Sequence, residues 1–276
     1  MLFTFVGCSG VGKNTIIKDL LEKRPEVYDL LPTVTTRGMR PGESQGNPYK
    51  FVDTKEEFLQ MIESGEIYEH QEIHGDYYGG SWKLLNAKIE EKKILLKDID
   101  VLGSNTLKGI FADSFPVISL FMYVDDVEIL IDRLRKRGEQ EDRIAVRRKR
   151  FDMEMSLSNT GDYLINNIVR EDTAKLIDEI IRAETNRVIY KTAKSADPID
   201  ESLVEMLTRE AAAGANLARV EMGFNGKEIL ILDGAERYIA AKRCGAFIQK
   251  HFLHAYDDSL EANENIEGYT KNEYEV

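Results

Sequence analysis

Apolar residues along this chain fall into two alternating textures. Short continuous runs, "LFTFV" at 2–6, "KILLKDID" at 93–100 and "VISLFMYV" at 117–124, are rich in Ile, Leu, Val and Phe. They are far shorter than the ~20 residues of a membrane span and predict buried strands. Between and after them lie stretches whose apolar positions recur at helical spacing. "KNTIIKDLLEK" places Ile16, Ile17, Leu20 and Leu21 on one face; "FLQMIESG" closes on Gly65, and "VEILIDRLRKRG" closes on Gly138. "TAKLIDEIIRAETNRVIY" predicts another helix. Strands alternating with helices predict an α/β fold, with a parallel sheet covered on both faces.

Near residue 192 the texture changes. "KTAKSADP" is small and polar and predicts a linker over 191–198. Beyond it, "ESLVEMLTREAAAGA" predicts a helix, "EILIL" a strand and "AERYIAAKRCG" a helix closed by Gly245. The last twenty residues, 257–276, are acidic and poor in branched apolar side chains, as expected of a loosely ordered tail. The expected organisation is therefore a large domain over 1–190, a linker, a small α+β module over 199–256 and an acidic tail.

Composition narrows the picture. The chain has 276 residues, 42% hydrophobic and 31% charged, which suits a globular protein. A net charge of −12 argues against a general nucleic-acid binder. Two distant cysteines, Cys8 and Cys244, form no disulfide framework and suit a reducing compartment. "MLFTFVG" has no basic start and no long apolar run, so a cytoplasmic protein without membrane partners is expected.

The first chemistry-bearing motif joins the first strand to the first helix. "GCSGVGKNT" nearly matches G-x-x-x-x-G-K-[ST], with Gly7, Gly12 and Lys13 in place. Glycines let backbone N–H groups turn inward around phosphate oxygens, and the following helix adds its positive end. Lys13 would reach the outer phosphates. Asn14 stands where a magnesium-holding Ser or Thr is usual, and Thr15 follows it. A second stretch, "TVTTRGMRPGESQGNPYKFV" at 33–52, carries Arg37 and Arg40 three apart, then Glu43 and Tyr49. Arginine forks bind phosphate through paired hydrogen bonds.

This second stretch resembles the monophosphate-binding segment of guanylate kinases, T-T-R-x-x-R-x-G-E…Y-x-F-V. The likeness extends in order through "YEHQEIHGDYYGGS", "LLKDIDVLG", the arginine-bearing "RLRKRGEQEDRIAVRRKR" and "GDYLINN", over most of the first 185 residues. It implies a P-loop nucleoside monophosphate kinase fold with a monophosphate-binding insertion over about 33–83 and a helical lid. The implied reaction moves the terminal phosphoryl group of ATP, with Mg2+, onto GMP or dGMP. Gly7, Ser9, Gly10, Val11, Gly12, Lys13, Asn14 and Thr15 would hold ATP, with Asn167 beside its adenine. Arg37, Arg40, Tyr49 and Tyr78 would hold the acceptor phosphate. Glu69 would accept from the guanine ring, with Asp100 near its amine and Thr33 facing the base. Asp98 and Asn14 would place the metal, and Glu43 would serve the acceptor side. Arg133, Arg137 and Arg147 would close over the phosphates, with Arg148 an alternative to Arg147 because the lid is about one residue short.

Two departures bear on specificity. Gly80 replaces a Ser or Thr that in the family donates to the guanine 6-oxo group, so a modified purine deoxynucleotide is an alternative acceptor, and Gly80→Ser is expected to sharpen the preference for guanine. Leu102 replaces a family Gln, for which a local packing change is expected. A non-catalytic protein-binding module is the rival reading, and a homodimer is a further option. "ILDGAERYIAAKRCG" resembles the signature of ParB and sulfiredoxin-like domains, which implies a phosphate site at Asp233, Gly234 and Arg237.

Overall fold

A computed structural model describes residues 1–39, 43–73, 75–112, 115–186, 190–194 and 196–265. The chain forms two compact units, one of Met1–Val6 with Ile17–Ser119, the other of Gly7–Ile16 with residues from Leu120 onward. In chain order the elements of the first half are β1 (Leu2–Gly7), α1 (Lys13–Lys23), β2 (Tyr28–Leu30), β3 (Thr33–Thr35), β4 (Ser44–Gln45), β5 (Pro48–Phe51), α2 (Lys55–Glu63), β6 (Ile67–Ile73), β7 (Asp76–Ser81), α3 (Trp82–Glu90), β8 (Ile94–Asp98), α4 (Val101–Phe111) and β9 (Val117–Tyr123).

Within the first unit, β8 pairs in parallel with β1 and with β2, Leu96 lying beside Phe3 on one side and Leu30 on the other. Apolar side chains buried on both faces favour such parallel strands. Leu2, Leu31, Leu85, Leu95, Leu107 and Phe111 form the core here. A second sheet runs in the order β4-β5-β3-β7-β6, with β7 antiparallel to both β3 and β6. Helix α2 packs Phe58 with Val34, Val52 and Ile67 beneath it. It starts where the Thr54 hydroxyl accepts from Glu57 N at 3.1 Å. It stops at Gly65, whose φ of +73° suits glycine.

The second unit continues with α5 (Val127–Lys136), α6 (Glu141–Ser156), β10 (Tyr163–Asn166), α7 (Arg170–Asn186), β11 (Lys191–Ala193), α8 (Glu201–Ala212), β12 (Val220–Phe224), β13 (Ile229–Asp233), α9 (Ala235–Cys244), β14 (Lys250–Phe252) and β15 (Ala262–Asn265). Its strands run β9-β10-β14-β12-β13-β11-β15. β10 is parallel to β9 and β14, and β12 is parallel to β14. The antiparallel pairs are β12 with β13 and β11 with β15. Two expectations are corrected. The stretch read as a linker contains β11, and the stretch read as tail contains β15, because the two pair with each other and give those polar segments a ladder of backbone hydrogen bonds. Residues 266–276 lie outside the described residues. The segment after residue 199 shares its sheet with strands of the expected 1–190 domain, since β14 lies directly beside β10. Among the described residues no helix is long and apolar enough to cross a membrane.

Candidate functional site

In the second unit the glycine loop leaves β1 and enters α1. Gly7, Gly10 and Gly12 hold φ values of +123°, +90° and +106°, in the region that favours glycine. A Cβ on Gly7 would stand 2.0 Å from Met122 O, so no larger residue fits there. Cys8 is buried, and burial with the nearby Glu154 carboxylate pushes its thiol up to about 12, so it is a packing group and no nucleophile. Lys13 Nζ donates to Gly7 O at 2.9 Å and lies back along the loop.

Lid and core side chains gather on this loop. Arg133, from α5, donates to Val11 O at 3.0 Å and to Asn167 O at 2.8 Å. Burial draws Arg133 below its ordinary value, yet it stays charged. Asn167, 3% exposed, donates Nδ2 to Val11 O at 2.6 Å, while its Oδ1 is buried with no partner among the described residues. Arg147, from α6, reaches the Ser9 hydroxyl and is braced by Glu139 Oε1 at 2.8 Å. Arg148 instead pairs with Glu128 at 2.7 Å on the exposed side of the lid, so the one-residue lid gap places Arg147 on the loop. A pocket of about 250 Å³ is lined by Gly10, Gly12, Thr15, Arg133, Arg137 and Asn167, together with Lys136 and Arg170, which the motif reading did not name. Ser9 N donates weakly to Glu154 Oε2 at 3.4 Å, a further neighbour that the sequence did not single out.

The first unit carries the residues expected on the acceptor side. Arg37 is 10% exposed and forks onto Glu43 at 2.8 and 3.0 Å. Burial opposes its charge, but the paired hydrogen bonds to Glu43 and the Glu43 charge outweigh that and raise it. Its guanidinium lies 4.9 Å over the Tyr49 ring, and Tyr78 meets Tyr49 edge-on. Tyr49 is pushed up to about 12 by burial and the Asp98 charge. Arg40 lies outside the described residues. Glu69 is raised by burial, partly offset by Lys97, and it accepts from the backbone of Gly80. Asp100 caps α4 through Oδ1, which takes Leu102 N at 2.8 Å and Gly103 N at 3.0 Å, and it accepts from Gln71 as well. Leu102 is 62% exposed, so replacing a Gln there changes no packing.

Gly80 differs from its sequence reading. A Cβ there would lie 2.1–2.3 Å from the Tyr68 ring and hydroxyl. Tyr68 is the extra residue where the β6–β7 register shifts, and its ring is wedged by Trp82 and Phe111. Gly80→Ser is therefore excluded as a simple restoration of the missing hydroxyl. Sequence reasoning also passed over Lys97, a fully buried lysine on β8 that donates to Thr33 Oγ1 at 2.8 Å. The single lysine inside the otherwise apolar and acidic "ILLKDID" was the available signal.

In the C-terminal segment Gly234 holds φ +83° and starts α9 without a side-chain cap. Arg237 is tied to Asp233 and donates to Arg219 O at 3.2 Å. These bonds engage its guanidinium within the protein.

Comparisons with known proteins point to one family. The guanylate kinase family profile matches residues 2–184. A guanylate kinase of Idiomarina loihiensis is 35% identical over 204 residues, which is 73% of this chain and 95% of that one. One of Thermotoga maritima is 33% identical over 207 residues, 74% and 95% of the two chains. Among solved structures, a guanylate kinase from Anaplasma phagocytophilum superposes with a TM-score of 0.52 at 32% identity, covering 67% of this chain and 85% of that one.

Proposed function

The chain belongs to the guanylate kinase family, and from that premise we propose how its residues carry the family's reaction, transfer of the terminal phosphoryl group of ATP to GMP. An oxygen of the GMP phosphate attacks the γ-phosphorus in line. The bond to the β–γ bridging oxygen breaks, and ADP leaves with that electron pair. The protein supplies position and positive charge and forms no covalent bond.

The observation that carries this reading is the convergence of Lys13, Arg133 and Arg147 on one glycine loop. A scaffold module that only binds protein has no need of a lid that reaches its phosphate loop. Loop N–H groups from Ser9 to Thr15 would take the β-phosphate oxygens. Lys13 would swing from Gly7 O to the γ-phosphate, and Arg133, Arg137 and Arg147 would offset charge as it develops there. Asn167 holds the loop in shape through Val11 O, next to where the adenine would lie.

On the acceptor side, Arg37, Arg40, Tyr49 and Tyr78 would hold the GMP phosphate, and Glu43 fixes the fork of Arg37. Glu69 would accept from guanine N1–H and the 2-amino group, with Asp100 beside the latter. Nothing in these contacts selects ribose over deoxyribose, so dGMP belongs in the acceptor class. The Asn14 amide, the Thr15 hydroxyl and the Asp98 carboxylate are hard oxygen donors of the kind Mg2+ takes. Magnesium, when bound, would neutralise charge on the β- and γ-phosphates.

The test is turnover of ATP and Mg2+ with a panel of purine monophosphates, ribo and deoxy. Transfer to GMP is expected, and Lys13→Ala should lower it at least about 10³-fold while the far-ultraviolet spectrum holds. A folded wild-type protein that phosphorylates no purine monophosphate would instead make this a binding module.

A further inference from the structure

Three strands bring the base-reading residues into one row. The antiparallel register sets Val34 beside Gly79 and Thr35 beside Tyr78, so continuing it by one residue sets Thr33 beside Gly80. On the far side Gly80 pairs with Glu69. Directly opposed residues point to one face of a sheet. Thr33 and Glu69 thus flank a position with no side chain. Tyr68 lies across that position, where a Cβ would meet its ring at 2.1 Å.

Beneath the row sits Lys97, with no exposed surface. Burying a lysine is costly unless its charge is compensated. Desolvation is the strongest influence and draws its proton affinity below the ordinary lysine value, against the smaller pull of Glu69, Asp98 and Asp100. Among the described residues none of those carboxylates makes an ion pair with it. Its one described hydrogen bond is to Thr33 Oγ1 at 2.8 Å.

That bond fixes the direction of the threonine. Lys97 Nζ donates to Thr33 Oγ1, so the threonine oxygen is occupied as an acceptor. The hydroxyl proton is then committed elsewhere, and no described residue accepts it. Thr33 is half-buried, so this proton can meet a ligand although Lys97 cannot. A donor bonded to the oxygen also polarises the O–H and makes it a stronger donor.

We propose that Lys97 is a positioning residue that turns Thr33 into an obligate donor to the 6-oxo group of the acceptor purine, replacing the hydroxyl absent at Gly80. The inference deepens the guanine-nucleotide reading above and rests on it. Glu69 accepts from N1–H and the 2-amino group; the next group along that edge of guanine is the 6-oxo, on the Thr33 side of the row. A 6-amino purine would set a donor against a donor there. The alternative raised by Gly80, a site relaxed toward modified purines, is thereby disfavoured.

The experiment compares GMP with 2,6-diaminopurine riboside monophosphate, which keeps the 2-amino group, replaces the 6-oxo group by an amine and carries no proton on N1, so the effect is read as the change in their ratio between wild type and variant. Wild type, Lys97→Met, Thr33→Val and the double variant are assayed for kcat and KM with each, and the Kd of each nucleotide is measured by titration calorimetry. Lys97→Met nearly conserves volume and removes the buried amine, whereas Thr33→Val leaves Lys97 buried without its hydrogen bond, so the unfolding midpoint of each variant is measured beside its kinetics. In each single variant the ratio of GMP to diaminopurine efficiency should fall about tenfold, through KM rather than kcat. The double variant should lose no more than either single one, because both act through one hydroxyl. Equal losses for the two nucleotides would mark Lys97 as merely structural and overturn the proposal. A Thr33→Val variant that loses selectivity beside a Lys97→Met variant that keeps it would overturn it too. The Kd ratios distinguish these outcomes even without turnover, whereas failure of wild type to phosphorylate GMP would count against the functional reading itself.

Discussion

The residue that most changes the picture is Gly80. From sequence it is a missing donor; in the structure it is the floor on which Tyr68 lies. A serine there must displace a ring held between Trp82 and Phe111 at centroid distances of 5.1 and 6.1 Å. Gly80→Ser should therefore lower stability by about 1–3 kcal/mol in urea unfolding, as over-packed sites do. Adding Tyr68→Leu should recover most of that loss, and an unchanged unfolding midpoint in the single variant would refute the account. Tyr68→Phe gives the complementary check. The Tyr68 hydroxyl is buried without a partner among the described residues, so removing it should leave stability equal or higher. The phosphate-loop glycines, Arg37 and Glu69 stand out in the sequence because the family motifs fix residue type and spacing there. Tyr68 and Lys97 do not, because each acts through a neighbour brought close only by the sheet: Gly80 across a register shift, Thr33 sixty-four positions away.

At the scale of elements, the lid shows what a helix adds to a motif. Helix α6 carries Arg143, Arg147, Arg148 and Arg150 within eight residues, and the sequence left open which of two neighbours faces the nucleotide. Adjacent residues on a helix point about 100° apart, so only one can. Arg147 meets Ser9 and Glu139, whereas Arg148 turns outward to Glu128. Arg147→Ala should cost roughly 10³-fold in kcat, and Arg148→Ala should stay within about twofold, because a half-exposed ion pair contributes little. Steady-state kinetics with saturating ATP separate the two, and a larger loss at Arg148 would reverse the assignment. Amphipathic helices such as α5 and α7 were readable from spacing alone. The small sheet was harder: both residues of β4 are exposed, and β3 is three residues long, so register and not hydrophobic period defines it.

On the scale of the whole molecule, the family match ends at Glu184, yet the chain continues into strands that complete the second unit's sheet. β10, buried along its length, has β14 as its neighbour on the side away from β9. The seam is specific. The ring of Phe252 stacks on Tyr163 at 6.4 Å, the Tyr163 hydroxyl meets Tyr190 at 2.6 Å, and Lys250 lies 4.4 Å over the Tyr163 ring. Gln249 donates to Ser158 O and Gly161 O at 2.8 and 2.9 Å. A polar stretch at 191–198 concealed this arrangement, since short strands paired by backbone hydrogen bonds need no apolar run to announce them. A removable accessory module would leave the kinase-like part intact when cut away; a sheet extension would not. Truncation after residue 190 should bare the edge of β10 and the Tyr163 ring, lowering the melting midpoint by at least about 10 °C and promoting association through the open strand. Because truncation alters much at once, Phe252→Ala in the full chain supplies the local version. Phe252 has no exposed surface, and the cavity left should cost about 3–5 kcal/mol. The loss should appear in a single unfolding transition that GMP and ATP shift upward as one. Separate transitions, with the nucleotide-stabilised one indifferent to Phe252, would show that the segment folds on its own and that its pairing with β10 contributes nothing to the kinase.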